Sequence, residues 1–271
     1  MIFTFDNWHN WDVVKCETDA FELIVGISAG PRILSVRYKD SENLLYQDTT
    51  DFGVGDWRMY GGHRFTVAPE TAASYYPDND RCNVSMTDTQ LMITTIERPS
   101  GIRLSLMISE AAEGDGFDIQ HMLENNGIAD WEGALWAITC VPRSAQVWAA
   151  CTTPLIHCWP GTDPVNWQPA NRQMSVKPGD FKGKAGWHSE HATLTALQQH
   201  GTLVIQSPDT SVPAACVDNG SNVEIFVCPG YIELETLSSH LIISPGTSAR
   251  HLQQWKLYPS PINTVLHNNT A

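Results

Sequence analysis

What most limits the folds open to this chain is the rhythm of its apolar residues. Runs such as "FELIVGI", "RILSVRY", "QLMITTIE", "IRLSLMIS", "FDIQHMLE", "ALWAITCV", "TLVIQS", "VEIFVC", "YIELETL" and "HLIIS" are short and either apolar or alternating. Between them stand "SAGPR", "ERPSG", "EGDG", "NNG", "SPDTS", "DNGSN" and "SPGTS", clusters of the residues that make turns. Helical periodicity is confined to "TAASYY" and "HATLTALQQH", and the second also reads as a strand. Many short strands at regular turn spacing predict an all-β fold, a sandwich or a barrel.

With no internal repeat and no Pro-, Gly- or Ser-rich linker, the 271 residues read as one domain spanning 1–271. A chain of that size can bury a core without disulfide staples. One irregular region, Thr152 to Trp187, is expected to be a functional or covering loop. The balance of 16 Lys and Arg against 30 Asp and Glu gives a net charge of −14, with no basic run, which repels a phosphate backbone and excludes nucleic acid as a partner. Seven cysteines, an odd number without a C-x-x-C pair, predict free buried thiols in a reducing compartment. The start "MIFTFDNWHN" lacks a basic n-region and a long apolar run, and no segment has the length of a membrane span. A soluble, cytoplasmic protein that does not bind membranes is the expectation.

Three stretches carry a resemblance. "FELIVGISAGPRILSVRYKDSENLLYQ" is similar to the opening of galactose mutarotase-like (aldose 1-epimerase superfamily) proteins, which run strand, glycine turn, strand and "ENLL". "FDIQHMLENNGIADWEGALWAITCV" resembles their middle element, and "YIELETLSSHLIISPGTSARHLQQWKL" their C-terminal end. The run "YGGHRFTVAPE" followed by "YYPDND" further resembles a branch of that superfamily with a GGHR-x-x-x-A-P-E motif. The resemblance implies a large antiparallel β-sandwich with a sugar-binding concave face, and an isomerase that needs no organic cofactor. Fold alone does not fix activity.

Period 2 puts Tyr231, Glu233, Glu235 and Leu237 on one face of "YIELETL", the two glutamates about 6–7 Å apart. If that face is buried, repulsion and desolvation raise at least one carboxyl pKa, as a general base working near neutrality requires. A solvent-facing edge strand is the competing reading. In galactose mutarotases the base is a glutamate within an "L-E-T/P-Q"-like strand, so the resemblance places that role on Glu235, although Leu237 stands where the pattern has Gln. Those proteins also carry a catalytic histidine after the "N-x-G" strand, and "WAITCVP" has none. The acid must come from elsewhere, and His63 is the candidate; Arg64 cannot lose its proton and would bind or stabilise charge.

Alternation from His63 puts His63, Phe65 and Val67 on one face and Arg64, Thr66 and Ala68 on the other. Only a bulge at Gly61–Gly62 would aim both into one cleft. The plain alternative has His63 packed and Arg64 solvated or paired with Glu70. Glu70 and Asp78 of the motif region are taken with Arg64 and Glu233 as sugar-binding. Trp159 and Trp167, flanked by Pro, Gly and Asn, are candidates for stacking on a sugar ring, whereas Trp136 and Trp255 within strands are expected in the core. His121 lies in phase with Phe117, Ile119 and Leu123 and reads as a core residue. His188, after the irregular region, is a further cleft candidate; with His191 it makes no metal pair, because that spacing on a strand points to opposite faces.

The first function expected is therefore a mutarotase or epimerase acting on a small sugar. A non-catalytic carbohydrate-binding or sensing protein comes second, and a polysaccharide lyase or hydrolase third.

Overall fold

Alternation along the sequence becomes one-sided burial in the structure, a computed structural model that describes residues 1–48, 56–152, 155–208 and 212–259. In the strand Ile102–Glu110, the residues Ile102, Leu104, Leu106 and Ile108 are buried. In its neighbour Gly116–Asn125, Phe117, Ile119, His121, Leu123 and Asn125 are buried while the residues between them are partly exposed. Two large antiparallel sheets press such faces together. The chain has the all-β sandwich fold expected of it.

One sheet has ten strands, ordered Trp167–Ala170, Gln173–Val176, Gln146–Ala150, Ala192–Gln198, Gly201–Ser207, Thr247–Tyr258, Gly116–Asn125, Ile102–Glu110, Gln90–Thr94 and Asn83–Met86. The other has eleven, and runs Ile2–Trp8, Trp11–Glu17, Phe21–Gly26, Arg32–Tyr38, His63–Ala68, Trp131–Pro142, Tyr231–Leu237, Val223–Val227, Gly183–Trp187 and Ile156–Cys158, with Leu241–Ile243 pairing beside Trp131–Pro142. The main core lies between the sheets and contains Leu23, Val25, Ile33, Phe65, Val67, Ile232 and Leu234 from the eleven-stranded side. A smaller cluster of Ala68, Ala134, Trp136, Ile138, Cys140 and Leu237 sits on the opposite face of that sheet. Its centre is thus covered on both sides, and polar residues placed there are taken out of water.

The region 152–187 is less irregular than its Pro and Gly content suggests. It supplies the strands Ile156–Cys158, Trp167–Ala170, Gln173–Val176 and Gly183–Trp187, each too short for its alternation to register. "TAASYY" forms a 3-10 turn, Ala72–Tyr75, capped by Thr71, and "HATLTALQQH" contains the strand Ala192–Gln198. None of the seven cysteines is in a disulfide, and four of them are buried. No helix among the described residues is long and apolar enough to cross a membrane.

Candidate functional site

Register fixes which side chains meet. Glu235 pairs across the sheet with Glu224 on one side and Ile138 on the other, and Ile138 pairs in turn with Arg64. Glu233 pairs with Cys140 and with Phe226, and Phe226 pairs with Lys184. Directly paired residues share a face. Arg64, Trp136, Glu233, Glu235, Glu224 and Lys184 therefore all project from the outer face of the eleven-stranded sheet, away from the inter-sheet core.

Above that face lies a cleft of about 560 Å³, within the range of small-molecule sites. Trp57, Tyr75, Trp136, Trp159, Phe226 and Tyr231 give it aromatic walls, and Arg64, Glu70, Lys182, Lys184 and Glu233 give it charge. Arg64 is nearly buried; its guanidinium carbon stands 5.3 Å from the ring centre of Trp57 and 5.9 Å from those of Tyr75 and Trp136. Such contacts favour the cation, and Arg64 Nη1 also donates to the Ser74 carbonyl oxygen at 3.3 Å. Exposed Glu70 accepts a hydrogen bond from the Tyr75 hydroxyl, at the rim.

Lys184 is a cleft-lining residue that sequence reasoning missed. Its ammonium lies 2.6 Å from Glu224 Oε2 and 2.9 Å from Glu235 Oε2, beneath the rings of Trp136 (4.5 Å) and Trp159 (5.0 Å). Burial works against the Lys184 charge, but Glu235 and Glu224 outweigh it and hold the ammonium above its ordinary range. The Trp136 indole N–H also donates to Glu235 Oε2, at 2.8 Å. Glu235 is fully buried and absent from the cleft lining. Glu224 is buried too, and desolvation raises its carboxyl well above the usual value.

Glu233 differs from both. It lines the cleft, and burial followed by repulsion from Glu235 pushes its carboxyl up to about 7, against the pull of Arg64 and Lys184. It occupies a central strand with Arg64 two strands away on one side and Lys184 two strands away on the other. At the spacing of hydrogen-bonded strands, each cation's backbone is about 10 Å from that of Glu233. A carboxyl that is half ionised near neutrality thus faces a cavity flanked by two permanent cations. That arrangement can take a proton from a hydroxyl while charge elsewhere on the ligand is stabilised.

The structure does not bring His63 into this group. Gly61 and Gly62 both have positive φ (76° and 67°), and a Cβ on Gly62 would lie 2.2 Å from the Ile33 carbonyl oxygen. These glycines let neighbouring backbones close in, yet from His63 onward the strand alternates regularly. His63 therefore points into the inter-sheet core, where it is fully buried. Its Nδ1 lies 2.9 Å from Thr139 Oγ1, its Nε2 2.7 Å from His121 Nε2, and His121 Nδ1 3.0 Å from the His251 carbonyl oxygen. A carbonyl only accepts, so His121 Nδ1 carries hydrogen and its neutral Nε2 accepts from His63 Nε2–H. His63 Nδ1 then accepts from the Thr139 hydroxyl. Burial lowers the His63 pKa to about 3. A group so placed cannot serve as the acid proposed for it from the sequence.

Other candidates divide as plainly. Arg64, Glu70, Trp159 and Glu233 line one cleft. Asp78 is engaged instead by Arg98, whose Nε reaches it at 3.1 Å and whose terminal nitrogen pairs with its second oxygen. Trp167 is buried against Phe181 in the main core, where its ring would meet a Cβ added to Gly183 at 2.7 Å. His188, partly buried just after the strand Gly183–Trp187, is not among the lining residues. Trp255 and Trp136 are both buried core residues as expected, and Trp136, in the cluster on the outer face of its sheet, also lines the cleft. Among the described residues no group of three His, Cys, Asp or Glu side chains is arranged to hold a metal.

No family model matches the chain, and no curated protein matches it in sequence. Solved structures do. A galactose mutarotase-like protein from Lactobacillus casei superposes with a TM-score of 0.62 at 12% identity, over 91% of this chain and 100% of that one. A galactose mutarotase related enzyme from Lactobacillus acidophilus gives 0.60 at 7% identity, over 92% and 98%. A TPR-domain containing protein from Parabacteroides distasonis gives 0.66 at 14% identity, over 96% of this chain and 50% of that one. The fold is the galactose mutarotase-like β-sandwich.

Proposed function

We propose that the cleft binds a pyranose sugar and interconverts its anomers by proton transfer, as an aldose 1-epimerase-like isomerase. One observation carries this reading: Glu233, a carboxyl raised to about 7, faces an aromatic-walled cleft between Arg64 and Lys184. Aromatic faces suit the apolar side of a sugar ring, and Trp159 and Trp57 offer them at the cleft walls. Glu233 takes the proton of the anomeric hydroxyl, the bond between C1 and the ring oxygen breaks, and the open aldehyde forms. Solvent in the open cleft protonates the ring oxygen, while an N–H of Arg64 or Lys184 stabilises its developing charge. Rotation about the C1–C2 bond and reversal of these steps gives the other anomer.

In this account the base is Glu233, and Glu235 is a positioning residue. Glu235 Oε2 already accepts from Trp136 and Lys184, so it orients the ammonium and keeps Glu233 from ionising early. Exchange spectroscopy on mixed anomers of common hexoses, with parent and Glu233→Gln protein, tests the reading. Acceleration by the parent that drops at least about a hundredfold in the variant is expected for loss of a general base. Equal exchange rates with and without the parent protein refute it.

A second reading is a carbohydrate-binding protein without catalysis. The observation in its favour is that no histidine stands among the cleft-lining residues. Sugar binding of equal strength by parent and Glu233→Gln, with exchange in neither, would decide for it.

A further inference from the structure

The arginine end of the cleft has more positive charge than its surroundings use. Arg32 and Arg64 are direct partners across adjacent strands, so their backbones are about 5 Å apart. Both are buried, at 5% and 7% exposure. Like charges placed opposite one another in a sheet repel, and buried charges are ordinarily paired. Among the described residues, however, Arg32 Nη1 and Arg64 Nε have no hydrogen-bond partner. Arg32 stacks on Tyr60 and Arg64 on Trp57, contacts that soften the charge without occupying those N–H groups. Asp78, whose charge acts on Arg32, has both oxygens engaged by Arg98.

A small cavity joins these groups. Arg32, Arg64, Thr66, Ser74 and Asp78 line it, and Trp57 and Arg64 form a wall common to it and the large cleft. Its volume of about 10 Å³ admits roughly one oxygen-sized atom. A carboxylate can place one oxygen there and the other on Arg64 Nε, matching two unpartnered donors, whereas a phosphoryl group brings a third terminal oxygen for which neither donor remains. Burial and the adjacent Arg64 charge lower the Arg32 pKa to about 10, the condition an incoming anion would relieve.

We infer that the sugar taken by this cleft is acidic, with a ring carboxylate seated between Arg64 and Arg32 at the end away from Lys184. The inference rests on the sugar-cleft reading above. One carboxylate oxygen meets Arg64 Nε and the other enters the small cavity towards Arg32 Nη1, giving charge-assisted bonds to donors that otherwise have none. The anomeric carbon then lies over Glu233, at the middle of the sheet. Selection follows from the same groups: a neutral hexose leaves Arg32 Nη1 and Arg64 Nε without a charged acceptor, and a uronate offers one oxygen to each.

Calorimetric titration of the full chain with three matched ligands tests this in the gluco, galacto and manno series: the uronate, its methyl ester and the hexose 6-phosphate. The ester keeps the shape and removes the charge. In the best-binding series the uronate is expected to bind at least about tenfold tighter than its ester and than the 6-phosphate. In Arg32→Gln that ratio is expected to fall to within about threefold. If the variant does not fold, the ratio in the parent protein decides alone. Neutral sugars that bind and exchange with no preference for the acid overturn this inference and leave the sugar reading standing. A preference for the 6-phosphate, or a uronate preference that survives in Arg32→Gln, overturns the arginine seat. Binding in no series overturns both.

Discussion

Replacing Lys184 by methionine keeps the stem that packs under Trp136 and removes the charge between Glu235 and Glu224. Breaking a buried ion pair by deleting one partner costs about 3–5 kcal/mol, because the remaining charge is left without compensation. The structure sets a more specific bound. Glu224 and Glu235 both lose the ammonium they share, and burial already raises the Glu224 carboxyl well above its ordinary value. The buried carboxyl pair, left without its cation, is relieved by taking up one further proton, which at about pH 7.5 costs roughly 1.4 kcal/mol for each unit above an unfolded carboxyl value near 4.3, or about 4 kcal/mol. At about pH 5 the same escape costs only about 1 kcal/mol. The sign follows: a folded-state carboxyl pKa raised above the unfolded one destabilises above the unfolded value, and the deficit closes as pH falls. Urea unfolding of parent and Lys184→Met, followed by tryptophan fluorescence at those two pH values, should show a deficit about 3 kcal/mol larger at the higher pH. A deficit equal at both, or larger in acid, would refute the assignment of Lys184 as counter-ion to the buried carboxyl pair.

Three further outcomes follow from the geometry. Because His63 is held neutral at a pKa of about 3, the unfolded chain binds the extra proton below about pH 6.5; stability should fall there by about 1.4 kcal/mol per unit, and His63→Gln should flatten the slope by about one proton in urea titrations. Gly62→Ala meets both a φ of 67° and the Ile33 carbonyl oxygen, so unfolding should be easier by about 2 kcal/mol or more, seen as a lower urea midpoint. Trp159→Ala should weaken sugar binding by about five- to tenfold in calorimetry and leave the melting temperature within a few degrees, since its ring is a cleft wall and not a core residue.

Strand alternation made much of this legible in advance. It separated His63 from Arg64 and joined Glu233 to Glu235, and both assignments hold in the register. What alternation lacks is the third dimension. Nothing in "YIELETL" says that Glu235 sits under a lysine while Glu233 opens onto the cleft, because that depends on which strand lies alongside. Lys184 was hidden in "FKGKAGW", a run with two glycines and no β-branched residue, which reads as loop. Its glycines are there because neighbours fill the space: a Cβ on Gly186 would lie 2.7 Å from Ser221 Oγ. Asp78 and Trp167 lie outside the lining of the large cleft for a related reason. A polar or aromatic residue near turn signals is as readily claimed by a buried arginine or by the core.

The central claim, that Glu233 is the base, is tested most directly by anomer exchange measured against pH with the parent protein. A base works only when deprotonated, so the account predicts that kcat/KM rises with pH through a midpoint at about 7. A rate that is flat across that midpoint, or that falls through it, would contradict the assignment.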